Sequence, residues 1–193
     1  MILRNALLGI FLAMGVSLCM LIFLSWLAYD RIRESNHRTE AVNHTYRVRL
    51  KNKDILNTVN NIETGQRGYL LTKQEKYLQS YGEGRSNLKG VVKAMRLLVK
   101  ENPRHVRQFR LIENEIVRQI TLIEYNIERT RKGYPIDTSK LSDAKKHMDN
   151  IRIMCKELDD EERQTLTYRS ELQKQADEST NFYLLLLSAV PLA

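Results

Sequence analysis

Residues 63–72, ETGQRGYLLT, decide how the rest of the chain folds. Gly65 and Gly68 flank Gln66 and Arg67, and a glycine inside a helix costs about 0.5–1 kcal/mol relative to alanine. Either the pair ends a helix here, or it opens one helix face to a close neighbour. Length separates the two readings. The last helical stretch runs from about Thr138 to Asn181, and at a rise of about 1.5 Å per residue it reaches roughly 65 Å. A first helix starting at Tyr29 needs roughly 42 residues to match that height, ending near Leu71. The block is therefore predicted to be helical and distal, with the turn at Thr72, Lys73 and Gln74 and with Gly65 and Gly68 at a close helix contact. A stop at Gly65 would leave the last helix partly unpaired.

Composition agrees with helices. Eight Gly and three Pro in 193 residues, with 28% charged side chains, argue against a β-sandwich or a Rossmann-type fold and for an all-α class. Residues 6–29 carry no Asp, Glu, Lys, Arg or His, enough to cross a hydrocarbon core of roughly 30 Å. The run continues into Trp26, Tyr29, Asp30 and Arg31 without a small-residue cleavage site, as an uncleaved anchor would. After Asn181 the stretch FYLLLLSAVPLA reads as a second membrane-entering segment cut short. The expected organisation is an anchor over 1–29, an extracytoplasmic bundle over 30–181, and the start of a second transmembrane helix over 182–193. Arg31, Arg33 and Arg38 sit on the wrong side for a simple positive-inside reading, but the intervening segment exceeds the roughly 60 residues over which that rule holds.

Within the middle segment apolar residues recur at spacings of three and four. One row is Tyr77, Tyr81, Leu88, Val91 or Val92, Met95, Val99; the next is Val106, Phe109, Ile112, Ile116, Ile120, Ile123, Ile127; the last is Leu141, Ala144, Met148, Ile151, Cys155, Leu158. Asn102-Pro103 and the stretch from Gly133 to Ser139 separate them, with Asp137, Thr138 or Ser139 as candidate N-caps. Short connections make antiparallel neighbours. The expectation is an antiparallel four-helix bundle whose long first and last helices run on into the membrane segments.

The run NIETGQRGYLLTKQEKYLQSY, the ENP break, and HMDNIRIMCKELDDEERQTLTYRSE near the end together resemble the type-three CHASE domain, an extracytoplasmic sensory module of bacterial histidine kinases and nucleotide cyclases. The resemblance covers roughly residues 30–181. It implies a membrane helix, a four-helix bundle, a second membrane helix and a cytoplasmic output, and it carries no ligand over to this chain.

Three groups of residues are candidates for function. Glu63, Gln66 and Arg67 lie within one turn with Tyr77 and Tyr81 nearby, and the last helix offers His147 and Asp149 at that height. They form either a distal ligand site for an anionic or amide-bearing molecule, or a polar core in which Arg67 is satisfied by a carboxylate and fixes register. Second, Gly65 and Gly68 serve close packing. Third, the apolar row of the last helix breaks at Glu162, Thr165 and Arg169 before Leu172 and Ala176; a core-facing Glu162 would be neutralised by Arg49 and Arg96. Such a break can hold two helix arrangements close in energy, which suits signal transmission.

Catalysis finds no support. His37, His44, His105 and His147 show no metal-ligand spacing, and no nucleotide loop or nucleophile motif is present, so no cofactor, no metal and no catalytic residue is expected. Cys19 and Cys155 fall on opposite sides of the membrane boundary and are not expected to pair. No basic block with interleaved aromatics points to nucleic acid. The expected function is a non-enzymatic sensor domain in the inner membrane, its output a histidine kinase. The expected partners are the lipid bilayer, a second copy joined through membrane-proximal helices, and a small-molecule or protein stimulus. A chemotaxis-type receptor and a membrane-tethered coiled-coil scaffold are the alternatives.

Overall fold

The computed structural model describes the backbone of Ile2–Ser188; residues 189–193 lie outside the described residues, as do the side chains of 176–188 and of many residues before 39. Among the described residues the regular structure is helical: α1 spans Ile2–Thr72, α2 Lys76–Val99, α3 Pro103–Arg131 and α4 Thr138–Ser188. It divides into two compact units, one of Met1–Val42 with Arg169–Ala193, the other of Asn43–Tyr168.

In the larger unit the apolar rows become one core. Val48, Ile55, Val59 and Ile62 of α1 pack with Leu88, Met95 and Val99 of α2, the isoleucine row of α3, and Met148, Ile151, Cys155 and Leu158 of α4. The α1 row is hard to read in sequence because its core positions include Thr45, Asn52 and Gln66. Asn52 justifies its place by donating Nδ2–H to the carbonyl of Cys155, 2.6 Å away on α4.

Local chemistry sets the helix ends. Asn102 Oδ1 accepts from the Arg104 and His105 backbone N–H groups at 3.0 and 3.4 Å, with Pro103 in the first turn of α3. At its other end Gly133 takes φ +77, while Gly133 and Tyr134 donate back to the carbonyls of Thr130 and Arg129, a Schellman closure. Asp137 caps α4, accepting from Lys140 N–H at 3.1 Å. That bond, first among the causes, lowers its carboxyl pKa.

α1 closes at Thr72, one residue past the expected Leu71, so Thr72 belongs to the helix and not to the turn, and ETGQRGYLLT is helical from end to end. Lys73 makes the turn at φ 56 and donates to Tyr69 O at 2.7 Å. A side chain at that φ carries a steric cost that glycine lacks. Lys73→Gly is therefore expected to raise stability by about 0.5 kcal/mol, read as a shift of the urea midpoint at unchanged slope; a lower midpoint would contradict it.

In the smaller unit Arg169 Nη1 donates to the Ala41 carbonyl at 2.9 Å, and Phe23 and Trp26 lie with ring centroids 6.3 Å apart. Among the described residues no helix is long and apolar enough to cross a membrane. Several side chains of the 6–29 stretch, and much of 182–193, fall outside the described set.

Candidate functional site

Glu63, Gln66 and Arg67 line a pocket of about 440 Å³ between α1, α3, α4 and the loop before α4. Its wall is mostly apolar, from Leu70, Leu71, Ile136, Leu141 and Ala144, with Gln119, Thr138, Ser142 and Lys145 supplying polar groups. Glu63 is buried and accepts from two guanidiniums, Arg67 Nη2 at 2.8 Å and Arg152 Nη2 at 3.1 Å. Arg67 is not a buried register pin: more than half its side chain is exposed. Gln66 is buried with Nε2 unpartnered, and Gln119 is buried with Oε1 unpartnered.

The other distal candidates lie elsewhere. Tyr77 and Tyr81 belong to the α1–α2 seam, not the pocket. A Cβ on Gly65 would stand 2.8 Å from both Tyr77 O and Tyr81 N, so backbone meets backbone there; one on Gly68 would meet the Tyr77 ring at 2.5 Å. Gly84 of α2 answers from the other side, against Ile62. Tyr81 reaches Glu124 with its hydroxyl at 3.4 Å. His147 turns to α3, its Nδ1 2.7 Å from Glu115 Oε2, where Asn150 Nδ2 also donates at 3.1 Å. Asp149 accepts from Arg152 on its own helix at 3.1 Å.

At the far end of the core Glu162 is buried, as its place in the row requires, but its partner is not the expected arginine pair. His105 Nδ1 of α3 lies 3.1 Å from Glu162 Oε1. Arg49 instead makes a forked contact with Asp159, at 2.8 and 3.1 Å, and Arg96 pairs with Glu113. The reason is helix phase: Asp159 and Glu162 are almost a turn apart, and the long guanidinium stem of Arg49 reaches the outer of the two while the imidazole fills the inner position. Thr165 is half-buried and spends its hydroxyl on the Glu161 carbonyl at 3.0 Å. Leu172 does not return to the core; it is exposed.

Residues that sequence reasoning passed over complete both places. Gln119, Lys145 and Arg152 join the distal site, while His105 and Glu115 anchor the polar layers. For Glu115 and Gln119 a signal exists in the sequence: with Asn126 and Thr130 they are spaced by four, seven and four beside the isoleucine row of α3, a second buried stripe; Lys145, Arg152 and His105 have no such signal.

The model of the CHASE3 domain matches residues 38–172. The chain belongs to the CHASE3 domain family. The solved sensor domain of the Rhodopseudomonas palustris histidine kinase HK9 is similar at 18% identity and a TM-score of 0.41, over 68% of this chain and 97% of that one. No curated protein matches the sequence.

This CHASE3 domain is the sensor domain of a signalling receptor. Among its described residues no cluster of His, Cys, Asp and Glu could hold a metal ion. Burial pushes the Cys155 thiol up to about 12, which leaves it a packing residue rather than a nucleophile. Burial alone would raise the Glu115 carboxyl, yet bonds from His147 and Asn150, with Arg118 nearby, together hold it below its ordinary value. A depressed carboxyl contributes stability present above the unfolded pKa and lost as pH falls through the folded one. The CHASE3 bundle is therefore expected to lose stability progressively below about pH 4, with Glu115→Gln flattening that acid limb. Urea midpoints measured from pH 6 down to pH 3 check it; an equally steep limb in the variant would exclude Glu115 as a source.

Proposed function

We propose that this CHASE3 domain is the extracytoplasmic sensor of a receptor held in the inner membrane, working as a homodimer through its membrane-proximal helices and driving a histidine kinase output. The observation that carries the membrane reading is the surface of α1 in the smaller unit. Phe11, Leu12, Met14, Val16, Leu18 and Met20 are all more than half exposed, and at about 100° per residue they cover more than half the helix circumference. Water is a poor solvent for such a surface; a bilayer is a good one.

The organisation supported is the anchor over 1–29, the bundle over 30–181 and the second membrane segment from 182. α1 and α4 are the two helices with residues in both units, and both line the distal pocket. A stimulus there reaches the output through displacement of α4 against α1, and packed helices favour discrete arrangements over continuous ones. Glu162, Thr165 and Arg169 lie on that route.

A reporter active only outside the cytoplasm, fused after Lys100, is expected to give signal. A cytoplasmic result overturns the orientation and with it the sensor topology. For the output, autophosphorylation by the full-length receptor is expected to change with stimulus; cyclase activity or reversible methylation would move the protein to another receptor class.

A further inference from the structure

We propose that the distal pocket binds a small organic monoanion with three parts: a carboxylate, an apolar body of several carbons, and a terminal hydroxyl or amide. The site takes its purpose from the sensor reading and its ligand from the pocket's own chemistry. At about 440 Å³ the pocket falls in the range of small-molecule sites.

The charge at its rim favours an anion. Arg67 and Lys145 both line it, and Glu63 is the carboxylate set against them. Glu63 does not depend on Arg67, because Arg152 also donates to it at 3.1 Å. Arg67 is therefore able to turn its remaining N–H groups to an incoming carboxylate without leaving a buried charge uncompensated. Lys145 is largely exposed, with Asp149 4.0 Å away as a loose partner. Leu70, Ile136 and Leu141 form the middle of the wall and fit an alkyl or ring body.

The deep end specifies the third part. Gln66 and Gln119 are each 1% exposed. They come from different helices, and they leave complementary atoms without partners: the donor Nε2 of Gln66 and the acceptor Oε1 of Gln119. Buried polar groups of native proteins are nearly always paired, so two orphans of opposite kind in one pocket wall point to a guest that pairs them. A hydroxyl does so with one oxygen, accepting from Gln66 and donating to Gln119. Neither atom is open to water, so the guest must part the wall between α1 and α3 by about the width of an oxygen. That movement is the event a sensor needs.

The test uses the full chain in detergent and calorimetric titration with ω-hydroxy acids of the butanoate-to-octanoate series, each beside its plain alkanoate and its diol. The hydroxy acid of best-fitting length is expected to bind about tenfold more tightly than either matched compound. Arg67→Gln and Lys145→Gln are each expected to weaken it about fivefold or more. Gln66→Met is expected to abolish the advantage of the hydroxy acid over the alkanoate while keeping or raising the melting temperature, since it removes an unpaired buried donor. Failure of the whole series to bind at millimolar concentration overturns the proposal. So does equal binding of hydroxy acid and alkanoate, or a Gln66→Met chain that melts lower, which would make the amide part of the fold. None of these results touches the reporter-fusion test, so the sensor topology stands or falls separately.

Discussion

His105→Leu is expected to lower the stability of the folded chain by about 3 kcal/mol or more, the loss that follows when a buried carboxyl group is left without its hydrogen-bond partner. Glu162 is 3% exposed and His105 Nδ1, 3.1 Å away, is its close partner. With leucine at 105 the buried Glu162 carboxyl loses its hydrogen-bond partner and keeps only the weaker field of Arg49; staying buried in that state or pulling its helix toward water each costs stability. The double variant His105→Leu with Glu162→Leu should recover most of the loss, because replacing both hydrogen-bond partners by apolar groups of similar shape can be nearly neutral or stabilising. Urea unfolding followed by circular dichroism gives both values and their coupling. A single-variant loss below about 1 kcal/mol would mean that Glu162 finds water or another partner. In the full-length receptor the double variant carries a second expectation. If the His105–Glu162 layer keeps two helix arrangements close in energy, sealing it with leucines should leave output fixed in one state even though most of the stability is restored. A receptor that still responds normally would remove the layer from the signalling route.

Gly65→Leu is expected to be nearly as damaging, at about 3 kcal/mol, the upper end of ordinary overpacking. Its first added carbon already stands 2.8 Å from Tyr77 O and Tyr81 N, and backbone atoms cannot step aside as a side chain does. Gly68→Leu should cost less, about 1 kcal/mol, because its neighbour is the half-buried ring of Tyr77, which can rotate away. The order of the two matters more than either value. Equal losses, or a greater loss at Gly68, would show that the α1–α2 contact is set by the ring and not by the backbones. Gly65→Ala probes the same contact with a single methyl and should already lower the melting temperature measurably.

Much of this protein is determined by its sequence alone, through period and length. The isoleucine row of α3 and the row from Leu141 to Leu158 declare their buried faces, because a solvated helix needs an apolar stripe and nothing else of comparable strength competes for those positions. Asn102-Pro103 and Gly133 mark helix ends by local hydrogen bonding and by φ, both properties of a few adjacent residues. The turn at Lys73 followed from arithmetic, since paired antiparallel helices must be of matched height. The polar partners were another matter. The α1 stripe is interrupted by Thr45, Asn52 and Gln66, whose burial depends on what faces them across the bundle. Glu162 was recognisable as a core residue, but its partner depended on whether an arginine or a histidine occupied the inner position on a facing helix, a matter of helix rotation by tens of degrees that no spacing along one helix encodes. The same holds for the distal site. Glu63, Gln66 and Arg67 announce themselves together, yet Gln119 and Lys145 complete the pocket, and His147 and Asp149, at a suitable height, face elsewhere. Height is one-dimensional and follows from residue count; direction around the helix axis is set when four helices pack at once, and only the tertiary structure contains it.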